Sequence, residues 1–318
     1  AEEGPKKNRL REMLERYKAR RRQETATFSM DDPQSPGLLD GARGLIFEDP
    51  ATFLDFIRDP ANEDLTEELI GEALRVNRII DGAVIQWRQK FGEFPPELTR
   101  GFLDILKSGS PILKRSLLQF LLIMEGAPEE FDLQYLQLIY DFDPGVQGYA
   151  IGALSQGRPM PPPILERLRQ VYESSSDKGV RAMALDAIGR TDTEEIQRWM
   201  VARLDKDREV GMARFVAKAS LNALLSKAGS LDERTLGRHA WALAAAAKVP
   251  MDRHAYYDLV LAAVNLPSNR SLPVLETALP NAPTPKLSKA VTKLMEMIRS
   301  GPSNWKNLMI EFQSLTQD

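Results

Sequence analysis

Four segments of this chain repeat one pattern at a nearly constant interval. Leu113, Val146, Val180 and Ala213 are anchors separated by 33, 34 and 33 residues. The same register follows each of them: Leu117, Phe120 and Leu121; Ala150, Ala153 and Leu154; Ala184, Ala187 and Ile188; Ala217, Ser220 and Leu221. This spacing places each set on one face of an α-helix. A repeat of this length is one supersecondary unit that cannot bury its apolar face alone, so it stacks on its neighbours. The small residues Ala150, Ala184 and Ala217 let helices approach closely, while Val146, Val180, Leu154 and Ile188 fill a continuous core. Asp143 and Asp177 each precede their helix, where a carboxylate favours the N-terminal dipole.

The rest of the chain gives helix signals as well. Apolar residues at three- and four-residue intervals run from Leu65 to Phe91, Leu98 to Leu106, Ile112 to Met124, Leu133 to Tyr140, Ile164 to Tyr172 and Ile196 to Leu204. Asp64 with Glu67, Asp192 with Glu195 and Ser230 with Glu233 have capping-box spacing. Prolines 96, 111, 163, 285 and 302 suit first helical turns, and glycines 92, 126, 157, 229 and 301 suit helix ends. Sustained two-residue alternation is absent, which predicts an all-α fold.

Asp177 to Gly189, and less closely Asp143 to Leu154, resemble the HEAT-like repeats, in particular the short variety of bilin-lyase-type proteins. The resemblance covers roughly residues 96–228, with 51–95 and 230–318 as degenerate capping helices. Gln147 stands where that pattern usually has Arg, and Ser220 where it usually has Ala. The resemblance implies a curved α-solenoid of antiparallel helix pairs, a fold that serves chiefly as scaffold, and it brings no catalytic residue with it.

Ahead of the folded body, expected to begin near Ala51, lie two further segments. Residues 1–24 form a basic amphipathic helix in which Lys6, Lys7, Arg9, Arg11, Arg16, Lys18, Arg20, Arg21 and Arg22 outnumber five acidic residues, a net of +4. Leu10, Met13, Leu14 and Tyr17 give it one narrow apolar stripe. Such a helix suits docking on a protein; peripheral contact with an anionic membrane through residues 5–22, or with RNA, uses the same charge. Residues 25–50 carry turn residues and little periodicity and read as a flexible, extended arm. The chain opens Ala1-Glu2-Glu3 without a methionine, which fits export slightly better than a trimmed cytosolic start.

Chemistry is constrained from the other side. Cysteine is absent, so disulfides, thiolate metal sites and cysteine nucleophiles are excluded. His239 and His254 are the only histidines. His254 and Asp258 share a helix face but are too few for a metal centre, and His239 reads as a packed residue. The sequence carries no phosphate loop, dinucleotide fingerprint, Ca²⁺ loop or zinc-protease helix. No cofactor is expected. Asp31-Asp32 reads as a solvated turn, Asn269-Arg270-Ser271 as a chance glycosylation sequon, and Arg158 to Pro163 as a rigid proline-rich connection. Apolar runs fall well short of the ~20 residues of a transmembrane span.

Lys114, Arg181 and Arg214 share one repeat position, either as a basic ladder on the groove or paired with acids of adjoining repeats. The expected role is therefore a non-catalytic scaffold or adaptor subunit. It would hold a protein partner, within a larger assembly, through the solenoid surface or the basic arm. A DNA-glycosylase-like reading, with Trp199 or Trp241 in a basic groove, meets a net charge of −3 that disfavours nucleic acid. A bilin-lyase-like enzyme comes third, with no residue marking a pigment site.

Overall fold

The computed structural model describes residues 50–63, 66, 95–123, 130–155, 160–207 and 211–301, with isolated positions 19, 307, 310 and 312. Among the described residues every regular element is helical. Apart from positions 19, 50 and 66, the basic segment, the arm and the helix expected over 65–91 lie outside them. The chain divides into two compact units, Ala1–Gln156 and Gly157–Asp318.

The first unit contains α1 (Pro50–Arg58), α2 (Pro96–Ser108), α3 (Pro111–Ile123), α4 (Glu130–Leu138) and α5 (Pro144–Ser155). The second contains α6 (Pro162–Ser174), α7 (Lys178–Gly189), α8 (Glu194–Val201), α9 (Met212–Ser226), α10 (Glu233–Ala247), α11 (Arg253–Val264), α12 (Ser268–Ala278) and α13 (Pro285–Ser300). In the first unit α2 packs on α3 and α4, and α5 packs on α3 and α4. In the second, α7 packs on α9, α8 on α10, α9 on α11 and α10 on α12, in addition to contacts between consecutive helices. Within the second unit α7 to α10 thus each meet both the next helix and the next but one.

The anchors fall at the second or third residue of α3, α5, α7 and α9. Val146, Ala150, Ala153 and Leu154 are buried in α5, and Val180, Ala184, Ala187 and Ile188 in α7. The same stripe recurs beyond the sequence repeat, as Ala255, Leu259, Ala262 and Ala263 in α11 and as Leu287, Val291, Leu294 and Met295 in α13, all buried. The intervening helices carry it too: Leu98, Phe102, Ile105 and Leu106 in α2, and Phe131, Tyr135 and Leu138 in α4 with Ile139 just past its end. The regular interval ends after Ala213 because α9 and α10 each run 15 residues where α7 and α8 run 12 and 8.

N-terminal caps fix where these stripes begin. Asp143, Asp177 and Asp252 each accept a hydrogen bond from the backbone N–H of the anchor three residues on, at 2.9, 2.8 and 2.8 Å. Ser110 and Thr284 do the same for Leu113 and Leu287 through their hydroxyls, both at 3.2 Å. At α9 the cap is Gly211, whose φ of 76° lies in the left-handed region that glycine tolerates best. Two expected caps move by one or two residues: Thr193 rather than Asp192 caps α8, and Asp232 rather than Ser230 caps α10. In each case the side chain adjoining the first turn reaches the free N–H groups. Asp192, one residue further out, is released for other contacts. In the first unit, Gly101 lets α1 lie close on α2, since a Cβ there would meet the Leu54 side chain at 2.5 Å.

Ala184 has no exposed surface in α7. Ala184→Leu should overpack the α7 interface and lower stability by roughly 1–3 kcal/mol in denaturant unfolding. An unchanged midpoint would show that the stripe is not packed as described.

Candidate functional site

Apart from the buried Ser271 of α12, the core stripe turns polar in the second unit where α9 meets α10. Ser220, in α9, occupies the position held by Ala187 in α7, and His239, in α10, the position held by Phe102 in α2 and Tyr135 in α4. Ser220 has no exposed surface and His239 only 1%. Burying such groups is costly without partners, and the partners are present. His239 Nδ1 lies 3.0 Å from Ser220 Oγ and 3.0 Å from Gln197 Nε2. Its Nε2 sits 3.3 Å from Asp192 Oδ1, close enough for an ion pair though not aligned as a hydrogen bond. Burial opposes ionisation of Asp192, but His239 and Arg238 outweigh it and hold the carboxyl well below the ordinary carboxylate range.

An acid, an imidazole and a hydroxyl in sequence have the order of a nucleophilic triad. Access decides what this one can do. The adjoining void, lined among others by Thr191, Gln197, Met200 and His239, measures only about 10 Å³, room for roughly one water molecule. No substrate carbonyl can reach Ser220 there.

Arg238 connects this interior to the surface. It donates through Nη1 to Gln197 Oε1 at 3.2 Å and through Nη2 to Asp192 Oδ1 at 2.7 Å. Its outer side lines a cleft of about 310 Å³ with Glu194 and Arg198 of α8 and Arg234 and Trp241 of α10. Glu194 draws the two exposed guanidiniums together, with Arg198 at 2.8 Å and Arg234 at 2.9 Å. Their hydrogen bonds and charges lower the Glu194 pKa. The Trp241 side chain, 48% exposed, completes the lining. Three fixed cations beside an open indole suit an anionic group attached to a flat or apolar one.

A second cation–aromatic cluster lies where α6 meets α8. The Trp199 ring is flanked by Arg203 at 4.2 Å and Arg169 at 5.4 Å from its centre, and meets Tyr172 edge-on at 5.4 Å. Tyr172 donates to Asp207; burial and that carboxylate together push its phenol up to about 12. Trp199 is therefore already occupied on its faces by its own chain.

The candidate residues read from the repeat are distributed, not convergent. Lys114, in the first unit, pairs with Asp141 at 3.1 Å. In the second, Arg181 pairs with Asp207 and Arg214 lies 3.8 Å from Asp258. Each cation thus reaches an acid at, or just before, the odd-numbered helix that follows. Lys6, Lys7, Arg9, Arg11, Arg16, Lys18, Arg20, Arg21 and Arg22 lie outside the described residues. His254 is exposed on α11; burial raises the Asp258 pKa despite nearby Arg214, Lys218 and His254. Among the described residues no cluster of His, Asp and Glu could hold a metal ion, and no helix is long and apolar enough to cross a membrane.

Asp192→Asn should cost about 2–3 kcal/mol, since it leaves Arg238 and His239 without their anion. The folded carboxyl titrates below its unfolded value of 3.8, so its contribution is complete above that value and is lost as pH falls through the folded one. Denaturation of both proteins between neutral pH and about pH 2.5 should show a constant gap that narrows only below about pH 4. A gap that closes at higher pH would contradict the network.

No protein-family model, no curated protein and no solved structure matches this chain.

Proposed function

We propose that the chain is an α-solenoid of HEAT-like helical pairs and acts as a non-catalytic scaffold or adaptor for a protein partner. Recurrent stripes at offsets of four, seven and eight, and next-but-one packing of α2 on α4, α3 on α5 and α7 to α10 each on the second helix after it, support the stacked architecture. One observation carries the functional part: the half-exposed Trp241 beside Arg198 and Arg234 in an open cleft on α8 and α10. Tryptophan and arginine dominate the energetics of protein interfaces, because one buries a large rigid surface and the other makes several directed hydrogen bonds. Both guanidiniums are oriented beforehand by Glu194, which lowers the entropic cost of docking.

The cleft favours an acidic segment that carries an apolar or aromatic side chain. Arg198 and Arg234 would take its carboxylates and Trp241 its apolar group. The sealed Asp192–His239–Ser220 constellation then serves to hold Arg238 in place, as a positioning network and not a reaction centre.

A photo-crosslinking residue at position 241 should capture a discrete protein in cells of the native host. Arg198→Glu with Arg234→Glu should abolish that capture, while the same probe at exposed Glu296 of α13 should not produce it. Capture of nucleic acid in place of protein would overturn the reading. In the folded protein Ser220 should also resist a fluorophosphonate reagent, and stoichiometric labelling there would refute the non-catalytic role.

A further inference from the structure

The α8–α10 cleft is small and its charge is nearly balanced, and both limits narrow what it can hold. Arg198, Arg234 and Arg238 line it, and Lys227 shares Asp192 with Arg238. Against these four cations stand three acids. Glu194 lies between Arg198 and Arg234, Asp192 lies behind Arg238, and Asp232 caps α10 within the field of Arg234 and Arg238. Glu195 and Glu233 are engaged elsewhere, with Arg169 at 2.8 Å and Arg270 at 2.7 Å. With histidine counted as neutral, four against three leave one positive charge unmatched. A single carboxylate balances it, whereas a phosphoryl group with close to two negative charges exceeds it.

Donors for that carboxylate are at hand. Glu194 takes Nε and Nη2 of Arg198 and Nη2 of Arg234. A guanidinium carries five N–H groups, so Nη1 of Arg198 and both Nε and Nη1 of Arg234 are left to face a ligand. Arg234, Arg238 and Trp241 follow at intervals of four and three on α10 and so share one side of it. Among the described residues no ring or guanidinium packs on the Trp241 indole, in contrast to Trp199.

Size selects among carboxylates. The 310 Å³ of the cleft equal roughly ten waters at ~30 Å³ each, a cube about 7 Å on edge. An extended segment advances ~3.3 Å per residue and turns successive side chains to opposite sides. An internal acid and an apolar group facing the same way therefore stand two residues, or ~6.6 Å, apart, and their segment must run both into and out of the cleft. The last residue of a chain carries its carboxylate and its side chain on one Cα and enters from one side only. We infer, building on the cleft as a protein-docking site, that its ligand is the free C-terminus of a partner chain ending in an aromatic or large aliphatic residue. The terminal carboxylate lies across the outer N–H groups of Arg198 and Arg234, and the last side chain packs on Trp241. Capture of a chain end by its carboxylate is a recurring mode of peptide recognition; here guanidiniums do the work of backbone N–H groups.

With only four tryptophans in the chain, the indole N–H signals of the full-length ¹⁵N-labelled protein are few, and Trp241→Phe identifies the one that matters. Acetyl-Gly-Ser-Gly-Phe with a free carboxylate should shift that signal on titration, and its C-terminal amide should bind at least ten-fold more weakly. Arg234→Gln, at an 84% exposed side chain, should remove the preference for the acid. Acetyl-Gly-Asp-Gly-Phe-Gly-Ser-amide, which holds the same groups internally, should bind no better than the amide. Equal binding of acid and amide, or no shift with any peptide, would overturn the inference. Tighter binding of the internal peptide would overturn it while leaving the docking site standing, and tighter binding of 3-phenylpropionate would mark a site for small aromatic acids instead. The protein captured by the crosslinker at position 241 gives a second readout. Crosslinks within its last two residues support a terminal ligand, and crosslinks to an internal segment refute that ligand alone. The absence of any captured protein refutes the docking site and its terminal ligand together.

Discussion

A single short helix cannot hide its apolar side. Most of the described helices present an apolar stripe of about four residues over roughly two turns, and two or more neighbours are needed to close over it. Burying each Val, Leu or Ile of such a stripe is worth about 1.5–3 kcal/mol, so the register of the stripes decides which helices meet. The caps enforce that register from the end of each helix. Because Asp143, Asp177 and Asp252 bond the N–H of the first stripe residue itself, helix start and core start coincide. Moving a cap by one residue would rotate the stripe by about 100° away from its neighbours.

Where the stripe turns polar, the same logic produces a different result. Ser220 and His239 stand at positions that are apolar in other helices, and Gln197 reaches them from α8. In a low-dielectric interior a satisfied network of this kind rigidifies its members. Arg238 is the member that also faces solvent, and its two interior bonds leave it little freedom. Interior polarity in α9 and α10 is thereby converted into a fixed guanidinium on the surface between α8 and α10. The displaced cap contributes too: with Thr193 capping α8, Asp192 is available to Arg238, His239 and Lys227.

The sequence periodicity was legible where helix and loop lengths stay constant, from Leu113 to Ala213. It faded for two physical reasons. The 15-residue helices α9 and α10 shift the register, so the stripes of α11 and α13 fall outside a fixed interval. The stripes of α2 and α4 use Phe102, Phe131 and Tyr135 where the repeat has small or aliphatic residues, so they match it in spacing but not in size. The cleft was harder still. Its residues come from two helices some 40 positions apart, and nothing local in Glu194, Arg198, Arg234 or Trp241 marks them as neighbours. One signal did exist: a serine and a histidine on stripes that otherwise predict aliphatic or aromatic residues point to a buried polar centre. The partners of Lys114 and Arg181 sit in loops 27 and 26 residues on, at Asp141 and Asp207, and loop positions carry no periodicity to read.

Those pairings bear on how charge is distributed over a chain whose net value is only −3. Cations at the shared repeat position are spent on neighbouring acids: Lys114, Arg181 and Arg214 join successive odd-numbered helices, and Asp186 is claimed by both Lys218 and Arg190. Most of these pairs are at least partly buried, and they neutralise the surface they cross. Charge that is not neutralised locally becomes conspicuous for that reason. Along the sequence, charge of one sign concentrates in the acidic run 125–157 and in the basic residues 6–22. A near-neutral total therefore conceals stretches of sequence strongly polarised in opposite sign. Attraction between such regions, within one chain or between chains, is short-ranged at physiological salt, where the Debye length is about 8 Å. Contact thus requires apolar surfaces that fit as well as charges that match, and the surfaces that combine both are the ones able to discriminate among partners.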